Sequence, residues 1–313
     1  MTESNSNIKG ISFLLLALVV ISIQNVAIKW ISGSYSALEI VAIRSIVALP
    51  CTVILFYNEG KKGLPKTQHR KLEYIRGFFL FLSYTTFMMG LAALPLAEIE
   101  AIRYSGPLII TFLSVIILKE NVELKHWLAI MVGFIGVILI VQPGSANFKL
   151  GSIFVLVSVF FYAMTAITTR KLQSEDSSAT MAYFGSQIYL VAAFVLIPLP
   201  SLFHEDPNSY PSIAFVLRPW SAPTFIDLFV IAGLGLIWAV WMYLISHAYS
   251  LSEASILAPF EYASLPINIL WGFIIWQEIP TLFTIAGALL TLISGLYIVY
   301  NKESKPKTQT VTN

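Results

Sequence analysis

The sequence predicts an all-α integral membrane protein, with ten transmembrane helices arranged as two inverted five-helix repeats around a central cavity. Three observations carry this prediction. Of 313 residues, 57% are hydrophobic and only 12% are charged, about half the charged fraction of a soluble globule. Apolar windows of roughly 20 residues, enough to cross ~30 Å of hydrocarbon, recur along the whole length. The chain also repeats itself once.

The first window, 8–31, contains "ISFLLLALVVISIQNVAIKW". A single Lys9 precedes its apolar stretch and no small-residue cleavage site follows, so it reads as a retained span and not a removable leader. Further spans are expected at 36–57, 72–93, 96–118 and 124–141, then at 150–171, 178–199, 224–250, 253–276 and 281–300. The ~10-residue alternating strands of a membrane barrel are not seen. Cys51, the sole cysteine, falls inside the second span, which excludes an intramolecular disulfide. Residues 1–7 and 301–313 are short tails.

Lysine and arginine collect on the cytoplasmic side of membrane proteins. Placing both termini there puts Lys61, Lys62, Lys66, Arg70, Lys71, Arg76, Lys119, Lys125, Arg170 and Lys171 inside, and leaves Lys29, Lys149 and Arg218 outside. The expected location is a bacterial cytoplasmic (inner) membrane. The outer stretch 200–223, containing "HEDPNSYP", reads as a solvated connector. Its His204, Glu205 and Asp206 are consecutive and lack the spacing of a metal site.

Setting Gly10 on Gly151 aligns Lys29 with Arg170 and Ser45 with Ser186. Further on, "LPLAEIEAIRYSGPLIITFLSVIILKE" lies against "LSEASILAPFEYASLPINILWGFIIWQE". That places Glu98 over Glu253 and, after a three-residue insertion, Glu120 over Glu278. The repeats are therefore 8–141 and 150–300. Five spans are an odd number, so the second copy enters the membrane upside down.

These pieces resemble the drug/metabolite transporter superfamily in its EamA-like branch, from about Ile8 to Tyr300. The resemblance rests on Lys29 closing the first span, "LEIVAIR" with Glu39 and Arg44, "LPLAEIEAIRYSGPL", Glu120 with "GFIGVILIVQPG", and "LSEASILAPFEY" with "GALLTLISGLYI". It implies a secondary transporter with a cavity between its halves, working by alternating access.

The repeat also places Arg103–Tyr104 on Glu261–Tyr262, with Pro107 within one position of Pro266. A charge near the bilayer centre costs at least ~2.5–3.5 kcal/mol unless it faces a bundle interior or a wet cavity. Proline there frees carbonyls that must be satisfied locally. In one reading Arg103 takes an anionic group of the substrate and Glu261 a cationic group or a coupling proton, which suits a zwitterion. In the other, Arg103 pairs structurally with Glu261 or with Glu100 one turn away. Gln24, Tyr84, Trp241 and Tyr243 would add hydrogen bonds and an aromatic wall. His247 is a gating or proton-coupling candidate, beside Glu100, Pro107 and Pro266.

Lys29 and Glu39 flank a very short turn and are expected to pair. Arg44, deeper, either lines the path or pairs with Glu39 or Glu98. Gly133, Gly136, Gly287 and Gly295 suit close helix contact, within the chain or across a homodimer seam.

No phosphate-cradling glycine loop, H-E-x-x-H pair or G-x-S-x-G elbow occurs, which argues against ATP-driven transport and enzymatic hydrolysis. No cofactor, metal or nucleic-acid partner is expected; the partners are a small-molecule substrate and lipid. The favoured cargo is an amino acid or similar zwitterion. The alternatives are uptake of a larger aromatic or cationic metabolite, such as a riboflavin-like vitamin or S-adenosylmethionine, or a membrane assembly subunit without transport.

Overall fold

A computed structural model describes residues 3–60, 62–119, 124–146, 148–172, 176–196, 198, 210–251, 260 and 262–303, and every regular element among them is a helix. In chain order these are α1 (Glu3–Ile31), α2 (Ala37–Asn58), α3 (Arg70–Leu91), α4 (Leu96–Arg103), α5 (Gly106–Leu118), α6 (Leu124–Val141), α7 (Leu150–Leu172) and α8 (Ser178–Val195). After them come α9 (Pro211–Leu217), α10 (Phe225–Leu251), α11 (Ser264–Trp276) and α12 (Leu282–Glu303). Ile8–Ile31, Ala37–Asn58, Leu96–Ile117 and Leu150–Thr169 are long and apolar enough to cross a membrane, and five of the other helices carry shorter apolar stretches. α3 is in neither group, because it opens with "RKLEYIR".

Lipid supplies no hydrogen bonds, so a helix is the form in which an apolar chain satisfies its own backbone. Serines start two of these helices. Ser36 accepts from the Leu38 amide at 3.3 Å before α2, and Ser177 from the Thr180 amide at 3.3 Å before α8; each relieves a donor with no partner inside the helix. α5 and α11 end alike, on residues in the left-handed region: Lys119 at φ 56° and Gln277 at φ 57°. Each stands just before a glutamate that the repeat pairs, Glu120 or Glu278.

Packing follows the repeat register. α3 lies against α7 and α8, and α10 against α1 and α2. α2 packs on α8, α6 on α12, α4 on α11, and α5 on α7. The main apolar core encloses Ile28, Leu38, Met88, Leu91, Leu96 and Ile102 fully, with two smaller clusters around Leu108 and Leu14. Outward, the pattern inverts that of a soluble protein. Ile285, Leu289 and Ile293 on α12, and Leu128, Met131, Ile135 and Ile138 on α6, are exposed at helical spacing, the faces that lipid would cover.

Three expectations change. The segment 96–118 is not one helix: α4 stops at Arg103, residues 104–105 form a turn, and α5 restarts at Gly106 with Pro107 in its first turn, where a missing N–H costs nothing. The stretch 200–223 is not wholly a solvated connector. Within it α9 sinks Phe215 and Ser212 into the protein against α3 and α2, and Arg218 donates to the carbonyl of Ser32 at 2.6 Å. His204, Glu205 and Asp206 lie outside the described residues. Lys29 and Glu39 do not pair; Lys29 turns to Glu278, and Glu39 accepts from the Ser221 amide at 3.5 Å.

The paired glycines are spent within the chain. A β-carbon on Gly136 would stand 2.7 Å from the Gly287 carbonyl oxygen, and one on Gly287 would stand 2.5 Å from that of Gly136. Close backbone approach of this kind is how helices adhere where no hydrophobic drive exists. Ser294 donates to the Ala129 carbonyl across the same seam. Gly136→Val and Gly287→Val should each destabilise the protein by about 1–3 kcal/mol, seen as a lower melting temperature in detergent. Gly33→Ala, at a site with nothing within 4 Å, should leave the melting curve in place.

Candidate functional site

The α4–α5 interruption at 104–105 faces a second one, where residues 262–263 form a turn before α11. The two join through Tyr104. Its hydroxyl donates to the Tyr262 carbonyl and accepts from the Leu265 amide at 3.1 Å. The Tyr104 and Tyr262 rings meet edge-on with centroids 4.7 Å apart. One hydroxyl therefore adds a second partner to each of two backbone groups of this turn, which also bond to each other at 3.3 Å. Pro107 is half-buried and Pro266, in the first turn of α11, is exposed.

Arg103, the last residue of α4, pairs with Glu100 at 2.8 Å. Glu100 is almost fully buried, while the Arg103 side chain is 42% exposed and lies 5.1 Å from the Phe87 ring centroid. A partner one turn away offsets part of the cost of placing either charge among apolar helices. Glu261 lies outside the described residues, so the structure gives Arg103 its Glu100 partner and leaves Glu261 unplaced.

A second polar cluster lies on α1, α2, α3 and α8. Gln24 donates through Nε2 to the Tyr84 hydroxyl at 3.3 Å. The Arg44 guanidinium lies over the Tyr84 ring, 4.0 Å from its centroid, and 5.2 Å from that of Tyr189. Tyr84, Phe87 and Tyr189 are in ring contact, and the Tyr189 hydroxyl is committed to the Leu80 carbonyl at 2.9 Å. Arg44 is 3% exposed, and its Nε and Nη1 find no acceptor among the described residues. It pairs with neither Glu39 nor Glu98; Glu98 takes Lys149 at 3.0 Å. Aromatic faces return about 2 kcal/mol to a desolvated cation, less than the several kcal/mol its burial costs.

Both ends of the bundle are tied across the halves. At one end Lys29 Nζ donates to Glu278 Oε1 at 2.6 Å and to the Leu94 carbonyl at 2.9 Å, beside the Trp276 ring. Glu278 Oε2 accepts from the Leu96 amide at 3.3 Å, so one carboxylate grips both the end of α1 and the start of α4. At the other end Arg76 donates to Thr169 Oγ1 at 2.7 Å and to the Met181 carbonyl at 3.0 Å, with Glu73 at 3.6 Å.

Of the residues singled out in the sequence, the structure brings together Arg103 with Glu100, Tyr104 with Tyr262, and Gln24 with Tyr84. Trp241 is half-buried on α10. The side chains of Tyr243 and His247 lie outside the described residues. Sequence reasoning missed Tyr189 and the Lys29–Glu278 tie. The tie had a signal, since the repeat register sets Lys29 on Arg170 and Glu120 on Glu278, a basic and an acidic position common to both halves. Tyr189 had none. Among the described residues no three His, Cys, Asp or Glu side chains gather as metal ligands.

Comparison with known proteins agrees with this layout. The model of the EamA-like transporter family matches the chain twice, over residues 8–142 and 149–300. The chain is 28% identical over 301 residues to an S-adenosylmethionine uptake transporter of Rickettsia prowazekii, covering 95% of this chain and 94% of that one. It is 26% identical over 311 residues to a riboflavin transporter of Vibrio cholerae, covering 98% of each. To a pseudopaline exporter of Pseudomonas aeruginosa it is 22% identical over 299 residues, covering 94% of this chain and 97% of that one. A solved crystal structure of a protein shares the fold, with a TM-score of 0.60 at 14% identity over 96% of this chain and 99% of the other. Two family matches that together span nearly every residue, on a scaffold of lipid-compatible helices, leave one conclusion: this chain is an integral membrane protein belonging to the EamA-like transporter family.

Proposed function

We propose that the protein is a secondary carrier that moves a small zwitterionic metabolite, an amino acid or similar molecule, by alternating access between two inverted five-helix repeats, 8–141 and 150–300. Ten spans, counting the interrupted fourth and ninth as one each, enclose the path. The observation that carries this reading is the meeting of two helix interruptions at Tyr104 and Tyr262, beside the Arg103–Glu100 pair. An assembly subunit would have no use for charges and broken helices at that depth. The packing supports the inversion: exchanging the halves turns α3 on α7 and α8 into α10 on α1 and α2.

In this mechanism Arg103 and Glu261 contact the substrate, with Arg103 exchanging Glu100 for a substrate group as the path opens. Tyr104, Tyr262, Gln24, Tyr84, Trp241 and Tyr243 line the path, Pro107 and Pro266 set the two interruptions, and His247 or Glu261 carries a coupling proton. The Lys29–Glu278 tie closes the outer end and the Arg76 contacts hold the cytoplasmic end, with both termini cytoplasmic in a bacterial inner membrane. Arg103→Ala and Glu261→Gln variants that stay folded and fully active would remove both residues from the site.

A second reading, uptake of a larger aromatic or cationic metabolite, is favoured by the relatives that carry S-adenosylmethionine and riboflavin and by the connected rings of Phe81, Tyr84, Phe87 and Tyr189. Counterflow in proteoliposomes decides between them. Vesicles preloaded with unlabelled L-amino acids, S-adenosylmethionine or riboflavin should accumulate the labelled form of one class. Exchange of none would sink the carrier reading.

Two further outcomes are expected. Glu278→Gln and Lys29→Gln should each destabilise the protein by about 1–3 kcal/mol, because a half-buried charge loses its partner, and should slow counterflow. The exchanged pair Lys29→Glu with Glu278→Lys should regain most of the melting temperature but not the contact to the Leu96 amide. Tyr104→Phe should cost about 1–3 kcal/mol and lower the transport rate while leaving the helical content unchanged by circular dichroism.

A further inference from the structure

Arg76 and Arg103 each have a carboxylate within 4 Å. Arg44 does not. It is 3% exposed, its planar group is held against the faces of Tyr84 and Tyr189, and two of its nitrogens donate to nothing among the described residues. Gln24, 1% exposed, spends its amide N–H on the Tyr84 hydroxyl and leaves its Oε1 without a donor. An unused cationic fork and an unused acceptor thus converge on one tyrosine. The elements that carry them come from both halves: α1, α2 and α3 from the first, α8 from the second.

We propose that Arg44 receives the carboxylate of an α-amino-acid head group, with Gln24 Oε1 accepting from its ammonium; the substrate class rests on the carrier reading above. The chemistry follows from what is unsatisfied. Nε and Nη1, the two guanidinium nitrogens without an acceptor, match a carboxylate in a two-point contact. The carboxylate answers the guanidinium charge one for one, whereas a phosphate dianion would leave an excess. Gln24 Oε1, on the other side of the shared contact with Tyr84 and without a donor of its own, selects a group that donates, as the ammonium of the same head group does. Arg103, already neutralised by Glu100, is thereby relieved of carboxylate capture and serves the rest of the substrate. Because Nε and Nη1 are dry in this structure, the head group reaches them when α2 and α8 part. Binding then supplies the missing counter-charge, so the ligand favours the state that admits it.

Purified full-length protein in detergent is titrated with L-methionine, L-tyrosine and S-adenosylmethionine, each as the free acid and as the carboxyl methyl ester, with melting temperature and equilibrium dialysis as readouts. At least one free acid should bind and stabilise, and its ester should bind roughly 10- to 100-fold more weakly, the loss expected for a hydrogen bond to a charged group. Arg44→Gln should remove the difference between acid and ester. Arg44→Lys, which keeps the charge and loses the fork, should retain part of it and serves if Arg44→Gln does not fold. Gln24→Leu should weaken the free amine while leaving an N-acetylated probe unchanged. No preference for any free acid over its ester, or a preference that survives Arg44→Gln, overturns the assignment. Counterflow of riboflavin alone would keep the carrier and discard this site, whereas Arg44-dependent binding without counterflow of any probe would keep the site and discard the carrier.

Discussion

A backbone group inside a bilayer must find its hydrogen bond within the protein, and the rest of this structure depends on how that demand is met where α4 gives way to α5. A continuous helix would meet it without help. At the turns the local bonds persist, Tyr104 to Glu100 in one and Leu265 to Tyr262 in the other, and the Tyr104 hydroxyl adds a link across the halves by bonding the Tyr262 carbonyl and the Leu265 amide. The interruption is therefore also a joint between the halves. Any motion that separates the halves here gives up both contacts to the Tyr104 hydroxyl.

The charges obey a related rule. Arg103 with Glu100, Lys149 with Glu98 and Lys29 with Glu278 are each neutralised by a partner at about 3 Å or less. The first pair lies within the first half; the second ties that half to the start of the second family match, and the third bridges both. Pairs of this kind add little net stability, since desolvation cancels much of the attraction. Their effect is on alternatives. Separating Lys29 from Glu278 leaves two charges and the Leu96 amide without these partners at once, so the contacts at that end are held as a unit and not independently.

The sequence made the helices legible because apolar length and turn chemistry are local signals. It also made the family legible, through the order of motifs and the repeat. The site was partly legible for the same reason: Arg103, Glu100, Tyr104 and Gln24 were marked by being polar where lipid should be. What the sequence could not show was which of them would meet. Glu100 is three residues from Arg103, and that pairing was an open alternative. Glu278 is 249 residues from Lys29, while Glu39 is close in sequence and looked the better partner. Loop 200–223 misled for another reason. Its prolines and polar residues describe a chain without a long helix, yet one short helix suffices to bury Phe215 and let Arg218 cap the Ser32 carbonyl.

Arg44 shows where the two kinds of information meet. Its position on α2 marked it as costly from the sequence, and neither acid considered for it lies within reach. A buried guanidinium that lies over two tyrosine rings and whose Nε and Nη1 find no acceptor among the described residues has a deficit that those residues do not fill. Arg76, on α3, is also buried, and it donates to Thr169 and to the Met181 carbonyl with the Glu73 carboxylate 3.6 Å away. Two arginines on adjacent helices, one completed by the protein and one left incomplete, differ in what would complete them. For Arg76 the completion is structural and already present. For Arg44 an anion brought from outside would complete it.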